Sequence, residues 1–254
     1  MSIDRRRFLR LAAASAGAGA LGACDRLSDN DAFTTFLRQA QFLSRRAQNG
    51  IAGPGALAQE FAPDQVSGVF RSNGTSLPDS ARYRELMATG FRDWSLQVGG
   101  AVRTPLQLSL AQLKMLPSRT QITRHDCVEG WSVIGKWTGV QLARVLRLAG
   151  PLPGARYVVF ECADQMEESP QSTYYESIDL AEAFHPQTIL AYALNDAALP
   201  VANGAPLRLR VERQLGYKHA KYLMRVALVD RLDGIRGGKG GYWEDLGYEW
   251  YAGI

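Results

Sequence analysis

The chain has 254 residues, 46% of them hydrophobic, with a formal net charge of +4. That is room for one large domain or two small ones, with a core that needs no covalent staples. Arg5, Arg6, Arg7, Arg10 and Arg26 crowd the beginning and the remainder is close to neutral. No basic run with interleaved aromatics follows, so nucleic-acid binding has no support.

The start, Met1 to Cys24, has a basic head, a short apolar stretch and small residues, the layout of a secretory signal. Its run Asp4-Arg5-Arg6-Arg7-Phe8-Leu9 resembles a twin-arginine export signal. That route carries folded proteins and so favours a cofactor inserted before export. Leu21-Gly22-Ala23-Cys24 resembles a lipoprotein processing box. Two routes fit: a lipid on Cys24 that holds the protein at a membrane surface, or ordinary cleavage nearby. No later run has the roughly 18 apolar residues of a spanning helix.

Residues 25–50 read as a helix, with Phe33, Phe36, Leu37, Ala40 and Leu43 at helical spacing. Asp31 is a candidate cap and Gly50 a candidate stop. Residues 51–80, rich in Gly, Pro, Ser and Asn, read as a connecting segment wrapped over a domain. The division is thus a signal over 1–24, a helix and wrapping segment over 25–89, and a main domain over 90–254. In the last, Trp94–Val98, Leu106–Leu110, Ile122–Cys127, Tyr157–Phe160 and Tyr222–Asp230 read as strands. A short helix around Leu110 and Leu113 ends at Pro117, and Thr138–Leu148 and Ile178–Phe184 read as helices. Leu207–Val211 alternates apolar residues with Arg208 and Arg210, one of which could lie on an exposed face. The irregular alternation points to an α+β fold with mixed sheets and surrounding helices.

Cys24, Cys127 and Cys162 contain no CxxC pair. In an exported protein Cys127 and Cys162 can form a disulfide, which would suit a non-catalytic binding or lipoprotein module. A zinc site from His125, Cys127 and Cys162 is a weaker alternative, since His125 and Cys127 share one face of a strand. Gly216-Tyr217-Lys218-His219-Ala220-Lys221 packs titratable groups into a glycine-opened turn, which suits either an anion or a solvated hairpin. The tail, Gly237–Gly241 and then Tyr242-Trp243-Glu244-Asp245, joins flexibility to aromatics; it could close over something or be a docked terminus.

His125-Asp126-Cys127-Val128-Glu129-Gly130-Trp131-Ser132, followed by Trp137-Thr138-Gly139-Val140-Gln141-Leu142, resembles the metal-binding segment of sulfite-oxidase-like molybdopterin oxidoreductases. The resemblance is to the bacterial branch that holds the periplasmic methionine sulfoxide reductase catalytic subunit. Ser177–Leu180, His185-Pro186, Leu199-Pro200, Asn203–Leu209 and Leu215–Leu223 follow in the family's order, so the likeness covers roughly residues 68–235.

The resemblance implies a sulfite-oxidase-type molybdopterin-binding fold and an exported, periplasmic enzyme that holds a molybdenum–molybdopterin cofactor. Its chemistry would be oxygen-atom transfer or related two-electron redox work on a small substrate. Cys127 is then the thiolate ligand of the metal, a soft donor suited to one already bound by sulfur, and Cys162 stays unpaired. Gly216, Tyr217, Lys218, His219 and Lys221 would surround the cofactor, with cations facing its phosphate. Arg208 matches a basic position near the cofactor and Asn73 an upstream pterin contact. His125 and Asp126 stand where that branch commonly has Arg before the cysteine, which makes them, with Glu129 and Tyr217, candidates for the catalytic pocket. No CxxCH haem motif is present, so electrons would pass through a separate haem- or quinone-linked partner. Only 24 residues follow Asp230, so no C-terminal Ig-like domain is expected.

Overall fold

A computed structural model describes residues 55–166 and 172–254 continuously, and scattered positions from 30 to 53. The signal, Cys24 and Asp31 lie outside the described residues. The chain divides into two units, 1–51 and 52–254. In the first, residue 33, residue 40, residues 43–47 and residue 50 are helical. The Asn30 side chain accepts from the Phe33 N–H at 3.1 Å, an N-cap bond. Gly50, the expected stop, is itself helical. No helix among the described residues is long and apolar enough to cross a membrane.

The second unit is built on two five-stranded sheets. One runs in the order β2 (Leu106–Ser109), β1 (Ser95–Gly100), β10 (Leu223–Val229), β5 (Tyr157–Gln165), β6 (Thr173–Asp179). Only the β1–β10 pair is parallel. The other runs β3 (Ser118–Cys127), β4 (Trp131–Gln141), β7 (Ile189–Leu194), β8 (Ala197–Ala198), with β9 (Arg208–Arg210) also on β7. The helices are short: α1 (Ala81–Ala88), α2 (Leu110–Met115), α3 (Leu142–Ala149), α4 (Leu180–Ala183) and α5 (Tyr242–Asp245). The α+β expectation holds. Alternation explains the strands: along β3, Gln121, Thr123, His125 and Cys127 are buried while their neighbours are more open.

The main core joins Leu96 and Val98 of β1, Val158 and Phe160 of β5, Val226 and Leu228 of β10, and Leu142, Val145, Leu146 and Ala149 of α3. Helix α3 buries that face because its apolar residues recur at three and four, and Gly150 ends it at φ +68° in the left-handed region. A second cluster, Trp137, Ile189, Ala191, Leu194 and Leu199, lies in the other sheet and is covered by Phe70. The segment carrying Phe70 runs along that sheet: Phe61 N–H donates to Ile122 O at 2.9 Å, and Ser67 N–H to Ile134 O at 3.0 Å.

Several boundaries differ from the sequence expectation. Residues 138–141 belong to β4, and the helix begins only at Leu142. Gly139 decides this locally: a Cβ there would lie 2.2 Å from Leu190 O, so the backbones of β4 and β7 approach where only glycine fits. Ile178 pairs with Val158 in β6, and Asp179 caps the single turn of α4 by accepting from Glu182 N–H at 2.8 Å. No strand is expected over residues 131–137 of β4, over residues 173–177 of β6 or over β7. Strands β6 and β7 are buried along most of their length, so they lack the polar alternation that marks a half-buried strand. Arg208 and Arg210 are both fully buried, so neither lies on an exposed face.

Candidate active site

Strand β3 ends at Cys127, and the turn to β4 brings Val128 and Glu129 beside it. Here an open cleft of about 710 Å³ is cut into the second unit. Its wall draws on distant parts of the chain: Asn73 and Thr75 of the wrapping segment, Asp164 and Met166 at the end of β5, and Tyr174 of β6. Gly216, Tyr217, His219 and Lys221 come from the turn before β10, and Trp243 and Tyr248 from the C-terminal segment. The structure thus brings Asn73, Cys127, Glu129, Gly216, Tyr217, His219 and Lys221 to one place.

One end of the cleft is polar and carries unused hydrogen-bonding capacity. Asn73 Oδ1, Asp164 Oδ1 and His219 Nδ1 are buried with no partner among the described residues. Buried polar atoms are ordinarily satisfied, so three orphans on one wall fit a bound group with donors and acceptors of its own. His219 Nε2 is engaged at 3.0 Å with Gln214 O. Burial, helped by Arg210, His125 and Arg208, holds the His219 pKa well below the ordinary histidine value. Burial raises the Asp164 carboxyl to about 6.

Lys221 does not project a free ammonium. Its Nζ donates to Asn73 O at 2.6 Å and Ala202 O at 3.0 Å, and also to Thr75 O. Burial, then Arg208, lowers its pKa to about 7. The lysine therefore fixes the Asn73–Thr75 loop that forms part of the wall. Gly216 has to be glycine: a Cβ there would lie 2.6 Å from the His125 ring.

Cys127 is 9% exposed. Burial raises its pKa, against the backbone N–H of Glu129, which favours the thiolate. Among the described residues Cys127 and Cys162 are both free, which corrects the disulfide alternative. Among the described residues no group of three or more His, Cys, Asp or Glu could hold a metal, so the zinc alternative fails too.

Four residues expected at the site do not line the cleft. His125 is fully buried behind Gly216, with Nδ1 at 3.0 Å from Arg210 Nη1 and its ring 5.1 Å from that of His219. Asp126 points to the other face of β3 because side chains alternate, and pairs with Arg124 at 2.8 Å. Arg208 lies 5.0 Å over the Trp137 ring and donates to Asn203 O at 2.9 Å. Lys218 is fully buried between Glu176 and Glu244, 2.5 Å from each. Sequence reading missed Asp164, Met166, Tyr174, Trp243 and Tyr248 as wall residues. For Trp243 the one available signal was the glycine-rich run before an aromatic cluster.

The family model of the oxidoreductase molybdopterin binding domain matches residues 85–234, more than half of the chain. The chain belongs to the molybdopterin-binding oxidoreductase family. It is 36% identical to the "Putative protein-methionine-sulfoxide reductase subunit YedZ1" of Azospira oryzae, over 98% of this chain and 87% of that one. It is 33% identical to the protein-methionine-sulfoxide reductase catalytic subunit MsrP of Xanthomonas axonopodis pv. citri, over 90% of this chain and 71% of that one. Among solved structures, the sulfane dehydrogenase SoxCD from Paracoccus pantotrophus aligns with TM-score 0.49 and 22% identity, over 55% of this chain and 39% of that one. The protein is therefore a molybdopterin-dependent oxidoreductase, in the bacterial branch that the sequence motifs indicated.

Proposed function

We propose that the cleft holds a molybdenum–molybdopterin cofactor with Cys127 as the protein's metal ligand, and that the enzyme moves an oxygen atom from a small sulfoxide. The observation that carries this is one cleft lined by a cysteine and by three buried polar atoms, on Asn73, Asp164 and His219, that have no partner among the described residues. These groups fit a heterocycle with its own donors and acceptors. When bound, the cofactor supplies the two-electron redox chemistry.

The chain's own residues do the rest. Lys221 holds the Asn73 loop against the site. Gly216 lets the backbone approach closely. Tyr174 donates its hydroxyl hydrogen to Tyr217 O and so fixes the turn. Glu129, whose Oε2 accepts from Trp131 Nε1 at 2.9 Å, and Tyr217 stand at the wall for the substrate. Trp243 and Tyr248, with Met166 beside Thr75, give the cleft apolar area for the alkyl arms of a thioether.

A sulfoxide, two electrons and two protons give a thioether and water. The electrons would come from a separate haem- or quinone-linked partner. The twin-arginine-like start and Cys24 support an extracytoplasmic site of action, soluble or lipid-anchored. The names of the two relatives make methionine sulfoxide the first substrate to try. Cofactor-loaded protein should reduce it with a reduced viologen as donor, and Cys127→Ser should lose at least about 10³-fold of the rate. Full activity in Cys127→Ser would refute the assignment.

A further inference from the structure

The segment after β10 is firmly built in. Glu244 of α5 is fully buried, and its Oε1 lies 2.5 Å from Lys218 Nζ. The same ammonium lies 2.5 Å from Glu176 Oε1 on β6, and that carboxylate is fully buried as well. Two carboxyl groups thus share one ammonium with no water-exposed surface, and burial raises the Glu176 pKa well above the ordinary carboxylate value. Burial opposes the charge on Lys218, but the two carboxylates outweigh it and raise its pKa.

The fit over this cluster is close: a Cβ on Gly241 would lie 2.0 Å from Glu244 Oε2 and 2.7 Å from Glu176 Oε1. Beside it, Asp245 accepts from Gly237 N–H and Lys239 N–H, each at 3.1 Å, and from the Tyr175 hydroxyl. Further on, Ala252 O accepts from Leu215 N–H at 2.9 Å, and Ile254 N–H donates to Arg213 O at 3.0 Å. The segment is therefore held on both sides of residues 246–251. Trp243 and Tyr248 line the cleft, and the Tyr217 ring meets that of Tyr248 edge-on at 5.3 Å. Tyr217 and Lys218 are adjacent, so one turn carries both the cleft wall and the cation that holds the segment.

We propose that Glu244 is a positioning residue. Through the buried Glu176–Lys218–Glu244 cluster it holds the C-terminal segment so that Trp243 and Tyr248 form the substrate-facing wall of the cleft and set which substrates fit. The part concerning substrate rests on the function proposed above; the anchoring does not.

The test uses cofactor-loaded enzyme and the variants Glu244→Ala and Glu244→Gln. Removing Glu244 leaves Lys218 and Glu176 as a balanced pair, so no buried charge is stranded. Trypsin reads the anchoring, because Arg236 and Lys239 lie in the loop that Asp245 closes. Kinetics with methionine sulfoxide read the wall. Glu244→Ala should be cut rapidly at 236–239 while it retains its pterin, and its KM should rise about tenfold with kcat within about threefold. Glu244→Gln, which keeps a hydrogen bond to Lys218, should restore both. Wild-type protease resistance and KM in Glu244→Ala would overturn the proposal. So would cuts throughout the chain with loss of pterin, which would make the cluster a support of the whole fold. If the wild-type enzyme does not reduce methionine sulfoxide, the function proposed above fails. The tryptic pattern of the Ala and Gln variants still decides the anchoring.

Discussion

The two walls of the cleft are made differently. The inner wall, built from the ends of β3 and β5, the Asn73 loop and the 216–221 turn, keeps hydrogen-bonding capacity unused among the described residues on Asn73, Asp164 and His219. In the outer wall, Glu244 Oε1 and Asp245 hold the segment in place, with Glu244 Oε2 buried away from the cleft lining, and Trp243 and Tyr248 line the cleft with aromatic area. The lysines of one turn show the same division. Lys221 fixes the polar wall through backbone carbonyls, and Lys218 fixes the aromatic one through carboxylates. One wall has the chemistry to hold a polar group, and the other is shaped to meet an apolar one.

The largest effect should come from behind the inner wall. Trp137 is fully buried, with the Arg210 and Arg208 guanidiniums 4.4 and 5.0 Å from its ring. Trp137→Ala should cost about 3–5 kcal/mol in chemical denaturation, more than any outer-wall substitution.

Asp164 comes next and carries a sign. Its folded pKa, about 6, lies above its ordinary value of 3.8. The stabilisation it gives is full below about pH 4 and is lost as pH rises through 6. Between pH 4 and 7 the parent should lose up to about 3 kcal/mol relative to Asp164→Asn. Parallel stability curves across that range would show that the inner wall does not suppress the charge.

Gly216→Ala should cost about 1–3 kcal/mol and lower the pterin content, since its Cβ meets the His125 ring. The smallest effect belongs to the outer wall. Tyr248 is 43% exposed, so Tyr248→Ala should shift stability by under about 1 kcal/mol while raising KM. A large stability loss there would erase the contrast between the walls.

Legibility followed the same line. The strand carrying Cys127, the short helix before Pro117 and the 216–221 turn were readable because local pattern decides them. The ordered motifs pointed to Asn73, which no local rule would have placed 54 residues upstream of Cys127, at the same cleft. Other assignments went astray because partners lay far away in sequence. Lys218 reads as a phosphate cation until Glu176 and Glu244, 42 and 26 residues off, close around it. Asp126 sits next to the cysteine in sequence but on the opposite face of β3. His125 shares the face of Cys127, yet Gly216 lies between it and the cleft. Buried β6 and β7 gave no alternation to read.

Molybdenum and released pterin, measured per chain in protein from a host that makes the cofactor, test the central claim most directly, with Cys127→Ser alongside. About one molybdenum and one pterin per folded chain, with the metal lost or its spectrum altered in Cys127→Ser, is the predicted result. Well-folded protein with neither molybdenum nor pterin, or a Cys127→Ser variant whose metal content and spectrum match the parent, would contradict it.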